Sequence, residues 1–453
     1  MQLIQNMDNK QAESQKPAIA NVPKKITKIK FEFLWAPFLL GSIAAQKITL
    51  GGEFYTGEVL AILFLALQFK KLKFTKTEKT FFQLALVWAG AQLVSDIINE
   101  SELLDSIKGV LAPIIFASTT LGLITYFRKN TATKTRLKRT YFLNENMPSF
   151  LFGLTLANLL DVIFFPDLFA QDNPWKWGVG AAVVGLIAIY SSFFRRKTSI
   201  SLLLILLILF FGVSLYFDAR SLAVFPLLAL LGFSIYKNSK GAWVFKTFGG
   251  DWGLAKLLIV LLTIIFLFNL LITLLFSSDL FLSTLSDASA EKFRSQSQGE
   301  YGALLGGRSE ILISLTAFLD SPLWGHGSWA QDKTGKYVTE YVLLKEDLGY
   351  GEENLSHTLD ALTYIPSHSY IMTAFVWAGL LGGLFWVYLL ISTLKSFIKF
   401  MPQLPYYFYL GFVLLLWDIF FSPFGASERF SSAVFLSSYF SYIYHLRMIQ
   451  RHY

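Results

Sequence analysis

Residues 200–236 read ISLLLILLILFFGVSLYFDARSLAVFPLLALLGFSIY. The run Ile200–Phe217 carries no charge, and at about 1.5 Å per residue such a helix nearly matches a hydrocarbon core of about 30 Å. Asp218-Ala219-Arg220 interrupts it, and a second apolar run follows at once. Two apolar runs joined by three residues describe a helical hairpin through a bilayer. Similar runs recur outward in both directions, Leu257–Phe276 among them. Of 453 residues, 54% are hydrophobic, 17% aromatic and only 15% charged, with a mean hydropathy of +0.50. A soluble domain of this length carries far more charge. The reading is an all-α polytopic integral membrane protein.

About twelve transmembrane helices are expected, at 33–50, 57–70, 80–96, 109–127, 147–165, 177–194, 199–217, 221–236, 255–276, 369–394, 405–422 and 430–446. Pro37, Lys47 and Glu58 interrupt the first two. The chain divides into a tail (1–32), nine crossings (33–276), a long loop (277–367), three crossings (368–446) and a second tail (447–453).

The connections supply an orientation. Alternate ones are basic: KKLKFTKTEK (70–79), RKNTATKTRLKR (128–139), RRK (195–197), KNSKGAWVFK (237–246), KSFIK (395–399) and the tail from Arg447. The others are acidic or nearly neutral: SDIINESELLD (95–105), FPDLFAQDNPWKW (165–177), DAR (218–220) and the long stretch Ser277–Ser367. The positive-inside rule then puts both termini in the cytoplasm. The formal charge of +8 is therefore a topology signal, and no nucleic-acid partner is expected. The polar, basic amino-terminal stretch has no signal-peptide pattern. Cysteine is absent, which fits an oxidising exterior.

The external loop of about ninety residues is long enough to be functional. Within it Ser309–Ser321 (SEILISLTAFLDS) has helical spacing, with apolar Ile311, Leu312, Leu315 and Leu319, and Pro322 and Gly325–Gly327 end it. This is an amphipathic helix that lies on the membrane or caps the bundle. No internal repeat is evident, which argues against an inverted-repeat transporter.

Charges at the membrane lip are costly and mark candidate sites. Arg220 lies outside two spans and is either a snorkelling turn residue or an anion ligand. Arg308, in GGRSE (306–310), is either a solvated loop residue or a guanidinium that two glycines allow close to a bulky anion. His368 opens the tenth span, as a structural residue or a base. Glu428 and Arg429, in the last external turn, either pair with one another or point into a cavity. His326, between Gly325 and Gly327, lines an entrance or closes a turn; His357 sits in a polar loop facing water. Asn158 and Asp161 are expected to face the bundle interior. Glu100 and Glu102 are an acidic pair, but no acidic, histidine or cysteine motif of metal-site spacing supports a metal, and no phosphate-binding glycine loop follows a strand.

GGRSEILISLTAFLDSPLWGHGSWA (306–330), the long loop, and SHSYIMTAFVWAGLLGGLFWVYLL (367–390) together resemble the O-antigen polymerase and ligase family of bacterial membrane proteins. The shared elements are an arginine opening a loop helix, Pro-x-x-Gly-x-Gly, and His-Ser before a Gly- and Leu-rich helix. DARSLAVF (218–225) is similar to the family's arginine just outside a middle span. The likeness covers about a third of the chain; the tryptophan common after the loop arginine is missing from Ile311–Ser314.

The resemblance implies a GT-C-type fold and a metal-independent, cofactor-free glycosyltransferase. It implies a donor glycan on undecaprenyl pyrophosphate, used at the periplasmic face of the bacterial inner membrane. Arg220 and Arg308 would hold the pyrophosphate, and His368 would act as general base or orient the acceptor hydroxyl, inverting the anomeric centre. The acceptor is a second lipid-linked repeat in a polymerase, the expected reading, or lipid A–core or protein in a ligase. A chain-length regulator or the lipid A–core acceptor would be its partner. A flippase for lipid-linked sugars is the reading from another class; charges gathered at one face beside a long loop speak against it.

Overall fold

The computed structural model describes residues 33–49, 51–68, 74–129, 146–194, 199–238, 309–347 and 363–452, with single positions at 270, 274, 278 and 283. It is an all-α membrane protein. Its helices are α1 (Trp35–Ala44), α2 (Thr56–Gln68), α3 (Lys76–Asn99), α4 (Leu103–Lys129), α5 (Asn146–Phe164), a short α6 (Leu168–Asp172) and α7 (Gly180–Ile189). Then follow α8 (Ile200–Tyr216), α9 (Arg220–Asn238), α10 (Glu310–Asp320), α11 (Lys336–Asp347), α12 (Tyr370–Phe400), α13 (Tyr406–Phe421) and α14 (Ala426–His452). Among the described residues, Lys76–Asn99, Leu103–Arg128, Asn146–Phe164, Trp175–Phe194 and Tyr370–Gln403 are long and apolar enough to cross a membrane. α1, α2, α8, α9 and α13 are shorter apolar helices.

A helix stands at each expected position except 255–276, which lies outside the described residues apart from positions 270 and 274. Several boundaries are corrected: α4 begins at Leu103, α12 runs on through Phe400 so that KSFIK (395–399) is helix, and α14 spans Ala426–His452, into the expected tail. The first helix stops at Ala44, because Lys47–Thr49 (β1) pairs antiparallel with Glu53–Tyr55 (β2). Gly51 supplies the left-handed turn at φ 62°, and Lys47 and Glu53 form an ion pair of 2.9 Å across the hairpin. The third helix runs on through Asn99, so SDIIN (95–99) is helix and not loop.

Close backbone approach organises the first layer. A Cβ at Gly41 would lie 2.1 Å from Phe150 O, and one at Gly153 would lie 2.0 Å from Phe38 O. α1 and α5 therefore touch main chain to main chain, and Ser42 Oγ donates to Gly153 O at 3.2 Å across the seam.

Two buried arginine–carboxylate forks close the bundle at opposite ends. At one, Glu78 caps α3 through a reciprocal box with Thr75 and takes both arms of Arg128 on α4, at 2.7 and 3.1 Å. Arg128 also donates to Phe440 O (3.0 Å) and lies 4.1 Å from the Tyr444 ring centre, tying in α14. At the other end Glu58, on the first turn of α2, binds Arg429 of α14 through Nε (2.7 Å) and Nη2 (2.9 Å). Glu58 also accepts from Tyr55 N, and Arg429 donates to Glu53 O, so this fork holds the hairpin as well.

α14 is buried along nearly all of 429–443. It carries Ser432, Ser437, Ser438, Ser441 and His445, all buried, and its neighbours shield them from lipid. Ser437 and Ser438 hydroxyls donate back to Val434 O at 2.9 and 2.8 Å. A helix this polar is stable in a membrane when it sits inside the bundle.

Removing one member of a buried charge pair strands the other, at a cost of about 3–5 kcal/mol. Arg429→Ala is therefore expected to lower stability by about that amount in detergent unfolding titrations. Ser431→Ala, at an exposed position on the same helix, is expected to leave it unchanged.

Candidate functional site

Arg220, His368, Glu428 and Arg429 lie at one end of the bundle. Ser369 caps α12 by accepting from Met372 N (3.2 Å), and its hydroxyl donates to Ile419 O (2.8 Å), fixing the start of α12 to the end of α13. Ring contact between Phe225 and Trp417 (4.9 Å) brings the Arg220 end of α9 to the same level. Tyr370 OH meets Ser432 Oγ at 3.3 Å, which sets the start of α14 beside them. His368, one residue before this junction, is exposed.

The loop helix α10 caps the same end. Ser314 Oγ donates to Pro366 O at 2.8 Å, two residues before His368. Ile313, Ser314 and Ala317 are the buried face, and Phe318 packs on Phe375 of α12 at 4.7 Å. Leu315 and Leu319, on the expected apolar face, point outward, with Leu323 and Trp324 beyond them. This outward apolar row suits contact with lipid. Arg308 and His357 lie outside the described residues; Ser309, next to Arg308, is buried.

The segment after α10 docks into a break in α12. Gly379 has φ 63° and ψ −157°, a conformation that only glycine adopts readily, and it interrupts the hydrogen-bond ladder. In an unbroken helix Leu380 N would donate to Val376 O. Here Leu380 N donates to Pro322 O (2.8 Å), and Val376 O accepts from His326 N (2.7 Å). Trp377 O accepts from Gly327 N (3.1 Å) and Ser95 Oγ (2.6 Å). Gly325 and Gly327 take left-handed turns at φ 73° and 83° that aim these amides at the broken helix. The Pro-x-x-Gly-x-Gly element thus substitutes for the missing part of the ladder.

α3 holds the other side of this segment with a polar stripe. Asp96 accepts from Ser328 N (2.5 Å) and Ser328 Oγ (2.8 Å), and Gln92 Nε2 donates to Ser328 Oγ (2.9 Å). Ser95 Oγ accepts from Gly327 N (2.9 Å), and Asn99 Nδ2 donates to Gly325 O (3.2 Å). Sequence reading missed these four; polar residues at i, i+3, i+4 and i+7 in an apolar span were the signal. Beyond the stripe lies a polar cavity of about 280 Å³, lined by Glu100, Glu102, His326, Trp329, Lys333 and Tyr337 among others. His326 Nε2 donates to Ala317 O (2.7 Å), so His326 both lines the cavity and braces the turn. Hydrogen bonds from Lys336 and Tyr337 hold the Asp320 carboxyl below the usual carboxylate value and pin α11 to α10.

The remaining charges have distinct surroundings. Arg220 Nε lies 3.3 Å from Asp218 Oδ1, while Lys176 Nζ lies 3.2 Å from Oδ2, so two cations share one carboxylate. Lys176 escaped the sequence reading because it sits alone in an acidic connection. Arg429 pairs with Glu58 and not with Glu428, whose Oε1 accepts from Ser427 Oγ (3.2 Å). Asp418, also missed, accepts from Ser422 Oγ (2.8 Å) next to Ile419, the residue that Ser369 holds. Asn158 and Asp161 are exposed, contrary to expectation: they lie within two turns of the end of α5, where polar groups reach water. Among the described residues no three His, Asp or Glu side chains group in a way that holds a metal ion.

Compared with protein-family models, curated proteins and solved structures, the chain matches none.

Asp96→Ala leaves the buried Ser328 N–H without an acceptor and should cost about 1–3 kcal/mol. Gly379→Ala should do more damage, because its Cβ would lie 2.3 Å from Leu323 O. Both are expected to lower the thermal midpoint of the purified protein and to speed proteolysis of the 322–334 segment.

Proposed function

We propose that the chain is a glycosyltransferase of the O-antigen polymerase type with a GT-C-like bundle. It would join an undecaprenyl-pyrophosphate-linked glycan to the hydroxyl of a lipid-linked repeat unit at the periplasmic face of the inner membrane. The observation that carries the reading is the 2.8 Å bond from Ser314 to Pro366 O. It joins the helix that follows Arg308 to the segment bearing His368, as the motif order requires for a shared site.

The chemistry follows from these residues. Arg220, with Lys176 beside it, and Arg308 hold the pyrophosphate, whose oxygens match guanidinium donors. The acceptor oxygen attacks the anomeric carbon while the bond from that carbon to the phosphate oxygen breaks. The electron pair leaves with the pyrophosphate, whose growing charge the fixed cations stabilise. The hydroxyl proton passes to the His368 imidazole. Asp218, bonded to both Lys176 and Arg220, orients the two cations.

In liposomes supplied with a lipid-linked repeat unit, the protein is expected to form a ladder of lengthening chains. His368→Ala should slow transfer about 10²–10⁴-fold, and Arg220→Ala or Arg308→Ala about 10²–10³-fold, each with wild-type thermal stability. Product that forms only when lipid A–core is added would replace the polymerase reading with a ligase. Near-wild-type transfer by the His368 and Arg308 variants would refute the site.

A further inference from the structure

The polar cavity between the α3–α4 turn and the 326–337 segment takes no part in the transfer step. Its walls are preformed. Asp96 and Asn99 hold the 325–328 turn, Lys333 Nζ donates to Asn99 O (3.0 Å), and Asp332 caps the next helix by accepting from Val338 N (2.8 Å). Of the three non-glycine residues with positive φ among those described, two border it: Glu100 at 54° and Trp329 at 48°. Conformations of this kind persist where the surroundings enforce them, often at ligand sites.

The lining chemistry selects the ligand. Glu100 and Glu102 expose carboxylates at one wall. The His326 tautomer is fixed by its bond to a carbonyl, which can only accept; Nε2 carries the hydrogen, and Nδ1 is left as an acceptor. The Ser101 hydroxyl adds a group that both donates and accepts, and the Trp329 and Tyr337 side chains complete the lining. With Glu100, Glu102, Asp105 and Asp332 in the lining against Lys333 alone, the balance of charge disfavours phosphate. The lining favours a ligand that presents many donors around a ring with apolar faces. A point cation is a poorer match, because the acidic groups do not converge.

We propose that this cavity is a binding subsite for one uncharged sugar ring of the glycan substrate, away from the bond that reacts. The inference rests on the glycosyltransferase reading for its substrate class. It also has its own geometric support: Ile365 N donates to Ala330 O (2.8 Å) and Gln331 bridges to Tyr364, so one cavity wall continues into the chain leading to His368. A sugar held here would add affinity for the glycan that ground state and transition state share, and that affinity is read in KM.

The test is saturation-transfer NMR on the full chain in nanodiscs. The probes are methyl glycosides of glucose, galactose, mannose, N-acetylglucosamine and N-acetylgalactosamine, with spermidine and inorganic pyrophosphate as controls. At least one glycoside is expected to bind, and Glu100→Ala/Glu102→Ala, at two exposed positions, should weaken it about tenfold or more. In the transfer assay the same double variant should raise KM for the glycan and leave kcat near wild type. Absence of binding across the glycosides, equal binding by the double variant, or displacement of the glycoside by spermidine would each overturn the subsite. Glycoside binding by a chain that transfers no glycan would keep the subsite and sink the transferase reading. Transfer with an unchanged KM in the double variant would do the reverse.

Discussion

A helix inside a membrane cannot be interrupted unless its freed backbone groups find partners in protein, and the site end of this molecule is built on that constraint. Gly379 breaks α12, and the amide of Leu380 and the carbonyls of Val376 and Trp377 are taken up by Pro322, His326, Gly327 and Ser95. The break and the loop therefore need each other. Without the loop, α12 would carry unsatisfied polar groups; without the break, the 322–327 segment would keep only its bonds to Ser95 and Asn99 of α3 as a hold on the bundle. Helix α10, the cavity and the segment leading to His368 all inherit their positions from this exchange.

The rest of the bundle is made firm enough to support it. The Arg128–Glu78 and Arg429–Glu58 forks fasten α14 to the α3–α4 pair and to α2, one toward each end of that helix. Buried pairs of this kind add little net stability over apolar packing, yet they tolerate only one arrangement. The most polar of the long helices is thereby held inside the bundle, with the Ser437 and Ser438 hydroxyls turned onto its own backbone.

How much of this the sequence disclosed depends on the range of the interaction. Apolar runs mark the places of α3, α4, α5, α8, α12 and α13, with ends up to six residues off, because span length is a local property while the ends depend on what the helix packs against. The β-hairpin at 47–55 was hidden by the apolar context of α1, although Gly51-Gly52 between Lys47 and Glu53 is a turn signature. Asp96 is the clearest loss. It read as the start of an acidic loop, whereas it is a buried acceptor for a serine 232 positions away. No periodicity reports such a partner. Arg429 illustrates the opposite error: its position suggests a pair with Glu428 or a charge pointing into a cavity, and it is consumed by Glu58, whose own place in an apolar span reads only as an interruption.

The position of His368 follows from the two tethers on either side of it. Before it, residues 363–366 are bonded to the 330–332 segment and to α10, so that side belongs to the acceptor-rich cavity wall. After it, Ser369 is bonded to α13, which packs against α9 below Arg220, so that side belongs to the cationic face. Carboxylates close to a pyrophosphate would oppose its binding, and cations close to the sugar would not discriminate among its hydroxyls. Under the proposed reading, separating the two on different helix pairs, with the His368 imidazole at the joint, would let one site hold an anion and a polyol together. That separation places His368 at the junction of the two faces, where a hydroxyl of one substrate would meet the leaving group of the other.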